Sequence, residues 1–184
     1  MNVALIGPRG AGKTTVARLL AIETGWAALS TDTLISYEAN GTSIAKLVAA
    51  SGGSFADFRE REYQVLRKAG RLHDVILDCG GGIVVDLGQD GEEHLSERKL
   101  RLLREQSLVF LLLPQLEDVA AEIAGDQRRP SLGSASPREI YERRLPWYRR
   151  AAHHEIAARD GEPSRTVETI CDAMQEAGLL APPR

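Results

Sequence analysis

Cysteine is nearly absent. Cys79 and Cys171 are the only two in 184 residues, enough for at most one disulfide, which points away from a disulfide-stapled secreted scaffold and toward a reduced, cytoplasmic protein. Aromatic residues are equally scarce, 5% of the chain against 43% hydrophobic, so the core must be aliphatic, a balance common where helices cover both faces of a sheet. Long apolar runs are missing too: none approaches the roughly 18 residues that a membrane helix needs. The opening residues carry neither the basic start nor the apolar stretch of a signal peptide. A formal net charge of −3 gives no general attraction to nucleic acid or to an anionic membrane, so any anion site has to be built locally. Internal repeats and interpretable low-complexity tracts are also lacking. The length suits one compact domain over residues 1–184, expected as a monomer.

What is there alternates between strand and helix. Val3–Ile6 reads as a strand and Lys13–Glu23 as a helix with Val16, Leu19 and Leu20 on one face, the opening of a βαβ unit. Trp26–Leu29 reads as a second strand, and Phe55–Lys68 as a charged amphipathic helix carrying Phe58, Tyr63 and Leu66. Asp74–Leu77 and Leu108–Leu113 have the length of buried strands, and a helical segment follows each. The expected fold is therefore α/β, a three-layer sandwich around a mainly parallel sheet of about five strands. Asp86–Glu93 (DLGQDGEE) reads as a solvated acidic loop before a helix over Leu95–Arg104, and Gly125–Pro137 (GDQRRPSLGSASP) as a mobile surface loop. A weak helix and an Ala-Pro-Pro-Arg tail follow Asp160.

Between the first strand and first helix lies Gly7-Pro8-Arg9-Gly10-Ala11-Gly12-Lys13-Thr14, a full match to the phosphate-binding loop (P-loop) pattern in the setting the pattern requires. Glycines let successive backbone N–H groups and the positive helix end wrap a phosphate. Lys13 is expected on the β- and γ-phosphates, and the Thr14 hydroxyl on magnesium. Gly10, Ala11, Gly12, Lys13, Thr14 and Thr15 are thus the candidate nucleotide-binding residues, Thr15 being equally able to cap or pack. The reaction class is transfer of the γ-phosphoryl group of a magnesium-bound nucleoside triphosphate to a small molecule.

Further motifs recur in order. Ser30-Thr31-Asp32-Thr33-Leu34-Ile35 follows the second strand; then come Gly41-Thr42-Ser43-Ile44, Phe58-Arg59-Glu60-Arg61-Glu62, Gly80-Gly81-Gly82, Arg129-Pro130 and Arg144-Leu145-Pro146-Trp147-Tyr148. In this order and spacing, up to about Ala152, the chain resembles the shikimate kinases, and six matches in sequence are specific where one would be weak. The resemblance implies ATP-dependent phosphorylation of the 3-hydroxyl of shikimate, in aromatic amino-acid biosynthesis, with Mg2+ as cofactor. It gives Lys13, Asp32 and Arg129 catalytic roles, Asp32 orienting the attacking hydroxyl or taking its proton and Arg129 closing on the γ-phosphoryl from a lid over about 125–137. It makes Arg59 and Arg144 forks for the substrate carboxylate, as lysine cannot be. Gly80, Gly81 and Gly82 would let backbone N–H groups approach the ring hydroxyls, and a substrate-binding segment would span about 33–68. Taken alone, Arg59–Glu62 is a solvated helix face, Arg144 one of several basic residues on a helix, Cys79 a buried inert thiol, and His153 and His154 surface residues.

The family pattern is also broken in places. Its first aspartate after the second strand is Ser30 here, while Asp78 stands where the family has a small or hydroxyl residue. The expectation is an exchange, with Ser30 and Asp78 both reaching magnesium through water. No arginine stands in Ala121–Ala124, where the family stacks one on adenine. The stretch from Arg129 to Arg144 is short, and that from Asp86 to Leu108 long. Two alternatives remain: another small-metabolite kinase, such as a gluconate-type one, and a binding or regulatory module without catalysis. Substrate profiling separates the first, and ADP release the second.

Overall fold

The computed structural model describes residues 1–114, 136–157 and 162–181. Its centre is β1 (Asn2–Ile6), all five residues buried. Val3 and Leu5 pack to one side, Ala4 and Ile6 to the other, which is why the strand reads as continuously apolar rather than alternating. Around it run β2 (Ala27–Ser30), β3 (Val75–Asp78), β6 (Ser107–Leu113) and β7 (His154–Ala157), in a five-stranded sheet of order β2-β3-β1-β6-β7. Every pairing in that sheet is parallel.

Helices cover both faces. On one, α1 (Lys13–Thr24) and α7 (Pro163–Glu176) bring Val16, Leu20, Val167, Ile170 and Met174 against Val3, Leu5, Ile76 and Phe110. On the other, α4 (Ala56–Ala69), α5 (Glu97–Gln106) and α6 (Pro137–Ala151) bury Leu66, Leu103 and Tyr148 against Ala4, Ile6, Leu77 and Leu111. The three-layer α/β sandwich expected from the alternation is the observed fold. A third apolar cluster, Ile35, Val48, Phe58 and Val65, ties α2 (Thr31–Glu38) and α3 (Ile44–Ala50) to α4.

Two features depart from the expectations. The acidic stretch Asp86–Glu93 is not an open loop: β4 (Val85–Leu87) and β5 (Glu93–Leu95) form an antiparallel hairpin with Leu87 opposite Glu93. Gly91 closes the turn at φ 80°, a conformation that a Cβ disfavours. Strands of three residues are too short to register as an alternating pattern. The second departure is β7, which adds the outer strand: His154 stacks on Phe110 with ring centroids 5.1 Å apart, and His153 Nδ1 accepts the Val109 N–H at 3.0 Å.

Because the strands are parallel and Leu5 lies beside Asp78, the P-loop and the triple glycine leave the sheet at the same edge. That edge is where ligands bind in open α/β sheets.

Candidate active site

The P-loop is shaped by backbone. Gly7 sits at φ 141°, and a Cβ there would lie 2.5 Å from the Leu112 carbonyl oxygen, so only glycine fits against the end of β6. Gly12, at φ 74°, starts α1 and offers it no side-chain cap; that leaves the helix N-terminus as a ready anion site. Lys13 is buried, and its ammonium donates to the carbonyls of Gly7 at 3.0 Å and Pro8 at 2.6 Å. It arches back over the loop, where a phosphate would meet it. Gly10, Ala11 and Thr14 complete the turn, and Thr15 is exposed on the first turn of α1.

Next to the loop, the Thr14 hydroxyl donates to Asp78 Oδ2 at 2.7 Å. Ser30 and Asp78 are register partners across β2 and β3, the juxtaposition that the exchange of hydroxyl and carboxylate requires. Ser30 also caps α2, its oxygen accepting the Thr33 N–H at 3.3 Å. A hydroxyl beside a carboxylate at the start of a P-loop helix is an all-oxygen donor set, which fits Mg2+. Thr31, unassigned by the sequence, is fully buried and locks the corner: its hydroxyl donates to the Asp78 carbonyl at 3.5 Å and accepts the Gly80 N–H at 3.0 Å. Cys79 lies buried beneath, its thiol pKa pushed up by burial and by Asp78, and so is inert.

Each glycine of the triplet makes room for something different. A Cβ on Gly80 would meet Asp32 Oδ1 at 2.4 Å, one on Gly81 the Arg9 backbone nitrogen at 3.2 Å, and one on Gly82 Arg59 Nη1 at 1.9 Å. The triplet thus gathers the acid of α2, the P-loop and the arginine of α4. The Gly80 N–H is committed to Thr31.

The two arginines converge there on different supports. Arg59, buried on α4, donates from Nη1 to both Glu62 oxygens at 2.9 Å, lies over Phe55 and Phe58, and among the described residues its buried Nε has no acceptor. Glu62 is also held by Lys99 Nζ at 3.0 Å; Lys99, 0% exposed, reaches Asp86 at 3.2 Å and the Val85 carbonyl at 2.5 Å. Arg98 closes the network on Asp86 at 2.8 Å and Glu60 at 2.6 Å. Arg144, on α6, donates from Nη1 to the Gly81 carbonyl at 3.0 Å and from Nε to Glu93 Oε2 at 3.0 Å, while Nη2 bonds Glu93 Oε1. The Tyr148 hydroxyl donates to the same Gly81 carbonyl. Burial pushes the Glu93 carboxyl up, but Arg144 and Arg143 outweigh it and hold it below the ordinary value.

The expected site residues Lys13, Thr14, Ser30, Asp32, Arg59, Asp78, Gly80–Gly82 and Arg144 therefore share one edge of the sheet. Arg129, nearly all of the expected lid and Ala121–Ala124 lie outside the described residues. Thr31, Glu62, Glu93 and Lys99 were given no role by the sequence. Glu62 could have been found three residues after Arg59, on the same helix face, and Lys99 as the lysine one turn before Leu103 on an apolar face. Glu93 had no local signal.

The sequence model of the shikimate kinase family matches residues 9–175. A shikimate kinase of Leptospira biflexa is 41% identical over 173 residues, 94% of this chain and 94% of its own length; one of Leptospira borgpetersenii is 40% identical over 171 residues, 92% and 93% of the two chains. Among solved structures, shikimate kinase from Acinetobacter baumannii in complex with shikimate matches with a TM-score of 0.81 at 27% identity, covering 97% of this chain and 95% of that one.

Proposed function

The chain belongs to the shikimate kinase family, and from that premise we propose that it moves the γ-phosphoryl group of ATP to the 3-hydroxyl of shikimate. The observation that carries the substrate is the pair of buried arginines meeting at the triple glycine, one with an Nε that has no acceptor among the described residues. A buried donor without an acceptor is costly unless a ligand supplies one, and two guanidinium forks at one place suit a carboxylate on a rigid ring.

ATP would lie with its phosphates in the Gly10–Thr15 cradle. Lys13 would exchange its loop carbonyls for the β- and γ-phosphates, a substitution that keeps the ammonium satisfied throughout. Magnesium, held by Thr14 and through water by Asp78 and Ser30, would supply charge neutralisation at the phosphoryl oxygens. Arg59 and Arg144 fix the ring, and Asp32, pressed against Gly80, orients the attacking hydroxyl and accepts its proton. Arg129 would approach the γ-phosphoryl from the lid. Little covalent work falls to the protein, so positioning and electrostatics carry the rate. We read residues 1–184 as one such domain, with a substrate segment over about 33–68, acting as a cytoplasmic monomer without nucleic-acid or membrane partners; no helix among the described residues is long and apolar enough to cross a membrane.

The test is a coupled assay for ADP with ATP, magnesium and either shikimate or gluconate. Shikimate-dependent ADP release is expected. Transfer to gluconate alone would overturn the substrate, and binding of ATP and shikimate without ADP would indicate a module that has lost catalysis.

A further inference from the structure

Arg144 is held at the site by an acid from another element. Its helix supplies the guanidinium, but Glu93, which grips that guanidinium on two nitrogens, comes from β5 of the hairpin, 51 residues away. Both partners are deeply set, their side chains 4% and 13% exposed. Taking the assignment of Arg144 to the substrate carboxylate from the function proposed above, we propose that Glu93 is the positioning residue for Arg144, and that the β4–β5 hairpin is the part of this chain that sets the second arm of the substrate clamp.

The hydrogen-bond count of the guanidinium supports this. Arg144 carries five N–H donors. Glu93 takes one from Nε and one from Nη2, and Gly81 takes one from Nη1. Two of the five donors are left on the terminal nitrogens, where the guanidinium meets the Tyr148 hydroxyl and can meet an incoming carboxylate. Glu93 occupies the Nε edge of the group, and the terminal nitrogens keep donors beyond that edge. Arg59 also has an acid, but on its other edge: both Glu62 oxygens accept from Nη1, while Nε has no acceptor among the described residues, so each arm of the clamp has its own acid.

A competing possibility is that Glu93 mimics the substrate carboxylate and must leave. The base of the hairpin argues against it. Asp86, opposite His94 in the hairpin register, is held by Ser96 at 2.7 Å, Arg98 at 2.8 Å and Lys99 at 3.2 Å. Arg143 adds a third bond to Glu93 at 2.8 Å. A carboxylate on so pinned a hairpin orients its partner better than it swings aside.

The two roles give opposite kinetics, which steady-state assays of Glu93→Gln and Glu93→Asp would separate. Positioning predicts a KM for shikimate raised about tenfold or more in Glu93→Gln, with kcat and the KM for ATP changed by no more than about twofold, since uniform substrate binding is what is lost. Glu93→Asp, which keeps the charge, should recover part of that loss. With the corresponding triol that lacks the carboxylate, wild type and Glu93→Gln should be indistinguishable, because Arg144 then has nothing to grip. A lowered KM for shikimate would show a competitor, and an unchanged KM would end the assignment; either overturns it. A shift of both KM values with kcat would mark a structural role and also overturn it. Wild-type protein that does not phosphorylate shikimate would instead remove the function itself, and this inference with it.

Discussion

At the end of the site proposed for the nucleotide, the groups that would face a phosphate are backbone N–H groups and one lysine, all within residues 7–14, and the shaping is done by glycines at positive φ. At the end proposed for the substrate the work would fall to side chains from α4, the hairpin, α5 and α6, and nearly every charge there is another's counter-charge. Arg59 rests on Glu62, Glu62 on Lys99, Lys99 on Asp86, and Arg144 on Glu93. A backbone cradle can lose one side chain and stay folded. A buried charge network cannot, since removing one member leaves the others desolvated and unpaired. Function and stability are thus separable at one end and entangled at the other.

The sharpest way to break that contrast is Lys99→Met. The change keeps most of the side chain's length but leaves buried Glu62 with Arg59 alone and takes one cation from Asp86, and burial already pushes the Lys99 pKa down against those acids. It should cost about 3 kcal/mol of folding stability and raise the KM for shikimate through Arg59, read by urea unfolding and kinetics on one preparation. A loss of activity with unchanged stability would refute the entanglement. The matching probe at the other end is Asp78→Asn. It keeps the bond to Thr14 but removes the charge, so turnover should fall roughly 10–100-fold, with a higher magnesium requirement and little change in the urea midpoint. An unaltered magnesium dependence would sink the proposed exchange between Ser30 and Asp78.

The same contrast governs what could be read without coordinates. The P-loop, β1, α1 and β6 are contiguous patterns whose physics is local, and their observed bounds lie within about a residue or two of the expected ones. The triple glycine was legible as a site, but its reason was not: a missing Cβ makes room for Asp32 and Arg59, residues 48 and 23 positions away in the sequence. The run Arg59–Glu62 read as solvated and is so for Glu60 and Arg61. Arg59 and Glu62, three apart, share the inward face. Glu93 stayed hidden because a three-residue strand has too little pattern to announce a hairpin, and only the fold brings it to Arg144.

The smallest effect separates Asp86, the end of the chain that runs from Arg59 through Glu62 and Lys99, from its more deeply buried neighbours. Burial opposes its charge, but Arg98 and Lys99 overcome this and bring its carboxyl from the ordinary 3.8 down to about 2. A carboxyl whose pKa is lower folded than unfolded contributes stability above the unfolded value and loses it as pH falls through the folded one. The contribution should therefore be complete above about pH 4 and fade toward pH 2. Arg98 is 40% exposed, so water screens its share and the whole should amount to about 1 kcal/mol or less. In Asp86→Asn the urea midpoint should start lower near neutrality and fall less between about pH 4 and pH 2 than in the wild type. If both proteins lose stability in parallel across that window, Asp86 is not the titrating link, and the acid sensitivity of the substrate end lies deeper, at Glu93, whose carboxyl is also held below its ordinary value.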